Sequence, residues 1–252
     1  MKDLFAGVRQ RPISIRGSPA KSPLFFRDLS MMMAVVTVDR EAAEALVPGL
    51  EGYRVLAVSP RRALVGINCF RYRDTDVGPY DEVSIAVAIR PPGSRTPGAL
   101  IAARAAAAER YHAFVHDLPV TTEIAVAGGV DFLNFPKWLA RIDFEQGDGL
   151  LRCRTSDPGS AEARYAFEGE ILQTTTRPKD CTFYSYPVMD GRMMRAEMRL
   201  RRLEWGRKLF EGFRIAEGTA FDRLKPGRVL LYVYAPRCQA ILFEPEPVEP
   251  EE

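Results

Sequence analysis

Two segments of the sequence combine residue types that could do chemistry, and the first surrounds Lys137 in GVDFLNFPKWLA, residues 129–140. Pro136 fixes its own φ angle and favours an extended residue before it, so the backbone leading into Lys137 is stiff. Phe135 and Trp138 are apolar, and apolar surroundings disfavour a charged ammonium. A neutral lysine amine can attack a carbonyl carbon, and the resulting iminium withdraws electrons from a neighbouring bond. The segment fits a Schiff-base lysine, but it equally fits an exposed lysine whose stem packs on apolar surface.

The second segment is GPYDEVSI, residues 78–85. Tyr80 and Glu82 lie two residues apart at the start of a predicted strand, so both side chains point to the same face. A phenol and a carboxyl on one face can orient a substrate or move a proton. The same pattern would also fit a solvated strand end without a catalytic role.

Lysine is rare in this chain, because arginine supplies most of the basic residues and only six lysines are present. Arginine remains protonated at any working pH and cannot form a Schiff base. Few residues therefore compete with Lys137 for imine chemistry.

Metal and cofactor motifs are missing from the sequence. The four cysteines are scattered without a C-x-x-C pair, and the two histidines, His112 and His116, have no acidic or thiol partner at a usual spacing. We therefore expect no structural zinc, and the thiols are typical of reduced core residues in a cytoplasmic protein. The sequence also has no Walker loop, G-x-G-x-x-G, G-x-S-x-G or H-E-x-x-H motif, so we expect no cofactor.

The overall charge is close to neutral, at +2, which gives no reason to expect binding to nucleic acid or a membrane. An arginine-rich stretch, residues 192–207, is interleaved with glutamates and indicates a solvated face or a subunit interface. The first residues show no secretory signal, and the apolar run 31–38 is too short to span a bilayer. The expected partner is a small molecule.

The chain is interpreted as one α+β domain over residues 1–252, mostly antiparallel β with a few helices. Residues 1–23 are predicted to form an extended arm and the Pro-punctuated acidic residues 244–252 a disordered tail. Between them, the pattern predicts a buried strand at 31–38, an Asp39-capped helix ending at VPG (47–49), paired strands at 53–59 and 62–72, a strand at 83–89, a helix at 98–110, a strand near 139–144, hairpin-like runs over 150–176 and a strand at 228–243. Residues 111–115 and 192–213 fit either helix or strand.

Taken together, a Tyr-x-Glu strand followed by a Gly-rich helix that enters Phe-Pro-Lys resembles the acetoacetate decarboxylase superfamily. The resemblance covers about residues 31–240 and implies a β-barrel or cone with a few helices. It implies that Lys137 is the Schiff-base lysine and Glu82 a second catalytic residue. Tyr80, Asn68, Phe135, Trp138 and Arg27 are then the expected substrate-binding residues.

The sequence also departs from the family pattern. Trp138 occupies the position of a second lysine that follows the Schiff-base lysine, so we expect Trp138 and Phe135 to desolvate Lys137 instead. Gly129-Val130-Asp131 stands where the family has Gly-Arg-Glu. Asn68 falls on or near the position of a second active-site glutamate, and Arg27 is the nearest match to an early arginine. These departures weaken acetoacetate as the substrate more than they weaken imine chemistry.

The leading hypothesis is a cofactor-free Schiff-base lyase that acts on a small oxo acid, with decarboxylation of a β-keto acid as the simplest reaction. One alternative keeps the imine but performs aldol condensation or dehydration of α-keto acids. Another is a non-catalytic barrel that binds a small apolar molecule. The resemblance further implies a homo-oligomer, and we expect a cytoplasmic location.

Overall fold

A computed structural model describes residues 3–47, 52–90 and 92–248. Strands contain 57% and helices 13% of the described residues, which confirms the predicted mostly-β α+β class. The strands are β1 (Arg11–Ile15), β2 (Ser18–Ser22), β3 (Leu24–Asp39), β4 (Arg54–Val55), β5 (Ala57–Ser59), β6 (Arg62–Thr75), β7 (Tyr80–Arg90), β8 (Arg110–Val120), β9 (Lys137–Leu139), β10 (Arg141–Gly147), β11 (Leu150–Ser156), β12 (Tyr165–Glu170), β13 (Lys179–Ser185), β14 (Val188–Met189), β15 (Arg192–Leu209), β16 (Phe213–Ile215), β17 (Val229–Leu242) and β18 (Glu246–Pro247). The helices are α1 (Arg40–Glu44), α2 (Gly98–Ala108) and α3 (Glu123–Ala127), with a π-helical turn at Gly128–Phe132 and a 3-10 helix at Ala220–Leu224.

Seven strands form a closed barrel in the order β7-β6-β3-β17-β15-β13-β8, and β8 pairs back with β7. All neighbours are antiparallel except β13 and β8, which run parallel, so the barrel is mixed. Closure leaves no free edge on these seven strands. Short strand β9 extends the barrel wall by pairing in parallel with β8.

A second, four-stranded antiparallel sheet, in the order β10-β11-β12-β16, provides side chains that pack against the outside of the barrel. Strand β3 explains why residues 31–38 read as a continuous apolar run. Met33 and Val35 face the barrel interior, whereas the alternate residues Met32, Ala34 and Val36 belong to the core shared with the second sheet. Because both faces of β3 are covered, apolar residues predominate on both, and Thr37 is the one polar residue of the run.

Several local predictions are confirmed. The carboxylate of Asp39 accepts a hydrogen bond from the backbone N–H of Ala42 at 3.0 Å and caps α1. The two segments that fit either helix or strand form strands. Residues 111–115 lie within β8, and most of residues 192–213 lie in β15. Pro48 and Gly49, expected to end α1, lie outside the described residues. Among the described residues no helix has the length and hydropathy needed to cross a membrane.

The two chain ends differ from the prediction. Within the expected arm, β1 and β2 pair as an antiparallel hairpin. In the described part of the acidic segment, the Glu244 carboxylate accepts hydrogen bonds from Arg11 at 2.6 and 2.7 Å, and β18 pairs with β15. The charges that suggested a solvated tail are instead used to hold it against the hairpin.

Candidate active site

Lys137 is the first residue of β9, and the loop before it is fixed by backbone hydrogen bonds. The N–H of Phe135 donates to the carbonyl of Gly129 at 2.9 Å, and the N–H of Lys137 donates to the carbonyl of Phe135 at 2.8 Å. Asn134 adopts a left-handed conformation with φ 52°, which asparagine tolerates better than most residues, and its side-chain amide donates to the carbonyl of Val188. The π-helical turn thus folds back onto the segment that carries the lysine.

The Lys137 ammonium lies inside the barrel against the Glu82 carboxylate. Nζ of Lys137 is 2.7 Å from Oε2 of Glu82, and the two side chains are only 7% and 9% exposed. The hydroxyl of Tyr72 donates to the other carboxylate oxygen, Oε1, at 3.2 Å. A proton can therefore pass directly between Lys137 and Glu82, while Tyr72 fixes the orientation of the carboxylate.

Tyr80 lies on the same face of β7 as Glu82, as the two-residue spacing predicts. Its ring centroid is 5.3 Å from Nζ of Lys137 and 4.6 Å from the ring of Tyr72. Burial, with the nearby Glu82 charge as a smaller cause, raises the pKa of both tyrosines well above the ordinary value. The two phenols consequently remain protonated and act as donors or apolar walls instead of bases.

These side chains border a small cavity of about 80 Å³. Five of the seven predicted site residues line it: Asn68, Tyr80, Glu82, Phe135 and Lys137. Lys137 is the one cationic side chain among the described residues of its wall. The remaining wall is mostly apolar and aromatic, so an oxo acid in this cavity would be held in surroundings of low polarity.

Asn68 is 8% exposed, and its Oδ1 has no hydrogen-bond partner among the described residues. Asn68 pairs with Ser84 across β6 and β7, two residues along each strand from the Phe70–Glu82 pair. A buried polar group without a partner costs free energy unless a ligand or water satisfies it. The Asn68 amide is therefore available to a bound molecule.

Trp138 does not desolvate Lys137, which corrects the expectation from the sequence. Because β9 begins at Lys137, adjacent side chains point to opposite faces of the strand. The Trp138 indole N–H donates to Oδ1 of the buried Asp117 at 2.6 Å, and the Arg164 guanidinium lies 4.8 Å from its ring centroid. The apolar neighbours of the lysine in the cavity include Phe135 and Tyr80.

Arg27 is also outside the cavity. Its guanidinium is 38% exposed and pairs with Asp76 at 2.6 Å and with Asp74 at 3.7 Å. Arg27 therefore stabilises the turn before β7 and does not line the site. The sequence prediction missed Tyr72, which orients the Glu82 carboxylate. Its position opposite Tyr80 in the β6–β7 register could have indicated this role.

The histidines and cysteines do not form a metal site in the described part of the chain, where no group of three or more possible ligands occurs. All four cysteines are buried, and none of them forms a disulfide.

A closed mixed barrel with a buried lysine–carboxylate pair defines an acetoacetate decarboxylase-like fold. The profile of the family described as "Acetoacetate decarboxylase (ADC)" matches residues 10–226. The chain therefore belongs to the acetoacetate decarboxylase family. No curated protein matches the chain.

Solved structures show the same fold at low identity. Acetoacetate decarboxylase from Legionella pneumophila is 14% identical with a TM-score of 0.61, over 90% of this chain and 88% of that one. The enduracididine biosynthesis enzyme MppR, complexed with the condensation product of pyruvate and imidazole 4-carboxaldehyde, is 14% identical with a TM-score of 0.58, over 87% and 86%. An acetoacetate decarboxylase-like enzyme from Sphingomonas wittichii RW1 is 12% identical with a TM-score of 0.52, over 94% and 98%.

Proposed function

We propose that this protein is a Schiff-base lyase in which Nζ of Lys137 attacks the carbonyl carbon of a small oxo acid. The observation that carries the proposal is the buried pair of Lys137 and Glu82 at 2.7 Å, bordering a mostly apolar cavity. Transfer of one proton from the ammonium to Glu82 leaves a neutral amine that can form a carbinolamine. The protonated Glu82 then returns the proton to the hydroxyl that leaves as water, which completes the iminium.

Decarboxylation of a β-keto acid follows from this arrangement most simply. The bond between the α-carbon and the carboxylate breaks, its electron pair moves to the iminium nitrogen through the enamine, and CO₂ leaves. Protonation of the enamine carbon and hydrolysis release the ketone and regenerate Lys137. A carboxylate in an apolar cavity without a second cation is poorly solvated, whereas CO₂ is neutral, so these surroundings favour the loss of CO₂.

The second candidate reaction keeps the imine. It either forms a C–C bond next to the imine, as in an aldol condensation, or eliminates water there. Trp138 and Asn68 at positions where the family carries a lysine and a glutamate favour this candidate. The structure of MppR with a condensation product of pyruvate shows that a protein of this fold can hold such a compound. The unpaired Oδ1 of Asn68 can accept a hydrogen bond from a hydroxyl of the condensation product in this reaction.

Reductive trapping tests the imine directly. The protein is incubated with acetoacetate or pyruvate plus borohydride, and adducts are mapped by peptide mass, with Lys137→Ala as the control variant. The five other lysines serve as internal controls. We expect an adduct on Lys137 alone. The two candidate reactions are then separated by their products, because decarboxylation releases CO₂ whereas the alternative yields condensation products. If no oxo acid yields an adduct, the imine proposal is wrong and a non-catalytic binding barrel becomes the better description.

A further inference from the structure

A second cavity, of about 440 Å³, occupies the barrel on the side of Asn68 away from Lys137. It shares five wall residues with the lysine cavity: Asn68, Ala86, Tyr111, Ala113 and Phe183. The two cavities therefore lie next to each other and share part of their walls. We call the larger cavity the apolar chamber.

The wall changes from polar to apolar along strands β6 and β7. The pair Phe70–Glu82 lies at the lysine, Asn68–Ser84 comes next, and Gly66–Ala86 follows. Beyond them, Leu64 and Ala88 line the chamber. From Glu82 to Ala88 the strand covers roughly 20 Å, since each residue advances about 3.3 Å. The gradient suits a ligand with a polar head at Lys137 and an apolar tail.

The chamber has a large volume because many of its wall residues are small. Helix α2 lines it through Ala99, Ala102, Ala105 and Ala106, and Ala88 and Ala113 face it from the barrel. Protein interiors are normally packed without such voids, whereas ligand sites have volumes of roughly 300–1,000 Å³ and mostly apolar walls. Alanines on both sides leave room for a ligand chain in a space of this size.

Two charged residues line the chamber: Arg207, which is exposed, and Glu109, which has a partner. Glu109 is buried, and its carboxylate is 2.7 Å from Nη2 of Arg202. The hydroxyl of Tyr111 donates to the same carboxylate at 3.3 Å. The paired charge therefore leaves no strong demand for a polar ligand at this end. Leu209 and Phe210, 56% and 71% exposed, line the chamber at the protein surface.

We infer that the chamber binds the aliphatic chain of a straight-chain oxo acid, whose carbonyl lies at Lys137 and whose tail runs past Asn68 towards α2. The assignment of the head group rests on the proposed imine chemistry, whereas the tail site rests on the chamber itself. The substrate class is then a medium-chain β-oxo acid, not acetoacetate. A hydroxyl near the head, such as that of the carbinolamine, can donate to the unpaired Oδ1 of Asn68 at the junction.

The first experiment compares acetoacetate with β-oxodecanoate as substrates. We expect kcat/KM to rise with chain length by up to about fourfold per added methylene until the chamber is filled, from the transfer free energy of a buried methylene. A specificity that is flat or falls with chain length overturns the inference and leaves the imine proposal untouched.

Blocking variants locate the tail. Ala105→Phe on α2 and Ala88→Phe on β7 each add a ring to the chamber wall, and we expect both to lower the preference for β-oxodecanoate over acetoacetate by tenfold or more. Ala107→Phe is the matched control, because Ala107 is exposed and absent from the chamber wall. Using two blocking sites on different elements covers the case in which one variant does not fold. An unchanged preference in both folded variants contradicts the inference.

Decanoate, which has no ketone, separates this inference from the imine proposal. We expect calorimetry to detect decanoate binding to the wild-type protein and to Lys137→Ala, and to detect weaker binding to Ala105→Phe. If no oxo acid is trapped but decanoate binds in this pattern, the tail site stands and the head-group assignment is wrong. If oxo acids are trapped but decanoate does not bind, the tail site is wrong.

Discussion

The side chain of Lys137 passes so close to Gly129 that no other residue fits at that position. A Cβ built on Gly129 would lie 2.2 Å from Cδ of Lys137, 2.6 Å from Cγ and 2.7 Å from Cε. These distances are far below a van der Waals contact. Gly129 belongs to the π-helical turn, and its carbonyl accepts the hydrogen bond from the N–H of Phe135. The turn therefore anchors the loop and also leaves space for the lysine side chain.

Gly129→Ala should therefore displace the lysine. We expect a loss of about 1–3 kcal/mol in the free energy of unfolding, as for overpacked cores, and a fall of at least tenfold in the rate of borohydride trapping. Gly128→Ala is the matched control, because its Cβ would meet only the end of the Ile15 side chain at 3.2 Å. Urea denaturation and the trapping rate measure the two effects. Equal trapping rates in the two variants would show that Gly129 does not position Lys137.

Trp138→Phe tests the corrected role of Trp138. The substitution keeps an aromatic ring but removes the N–H that donates to the buried Asp117, whose other oxygen accepts from Tyr165 at 2.5 Å. We expect a loss of about 1–3 kcal/mol in the free energy of unfolding, since a hydrogen bond to a charged group is lost. Trapping at Lys137 should match the wild type in the folded protein. A strong effect on trapping without an effect on stability would restore the original interpretation of Trp138.

The sequence was most informative where one short pattern determined the structure. The apolar run of β3, the Asp39 cap and the same-face spacing of Tyr80 and Glu82 each depend on neighbouring residues only, and all three were predicted. The resemblance to the family then brought Lys137 and Glu82 together, although 55 positions separate them in the chain. Periodicity alone could not have paired these two residues.

Two expected site residues, Trp138 and Arg27, lie outside the lysine cavity, and each has a physical reason. Trp138 lies away from the lysine cavity because Lys137 and Trp138 are neighbours within β9, and adjacent side chains of a strand point to opposite faces. Arg27 was misassigned because its partner Asp76 lies in a turn of another segment. The apolar chamber could not be predicted from the sequence, since its walls come from strands throughout the chain and from α2.

Glu82→Gln should remove the proton acceptor while keeping the size of the side chain. Glutamine cannot take the proton of the Lys137 ammonium, so we expect the trapping rate to fall by about 10²–10⁴, the usual contribution of general acid–base catalysis. Asp81→Asn is the matched control, because Asp81 is the preceding carboxylate on β7, lies 3.6 Å from Arg71 and does not line the cavity. If the two variants trap oxo acids equally well, Glu82 is not the base.

The ion pair between Arg202 and Glu109 should be costly to break from either side. Arg202 is 1% exposed and Glu109 is 5% exposed, so removing one partner leaves the other charge buried and unpaired. We expect Arg202→Met to lower the free energy of unfolding by about 3–5 kcal/mol. Glu109→Gln should also destabilise the protein, because the Arg202 guanidinium then lacks a counter-charge.

A double-mutant cycle separates this ion pair from simple packing. With both substitutions present, no buried charge is left unpaired, so we expect the combined loss to be smaller than the sum of the two single losses by about 1–3 kcal/mol. Urea denaturation of the wild type, the two single variants and the double variant measures this coupling. Strictly additive losses would mean that the two residues stabilise the fold independently, through contacts other than their ion pair.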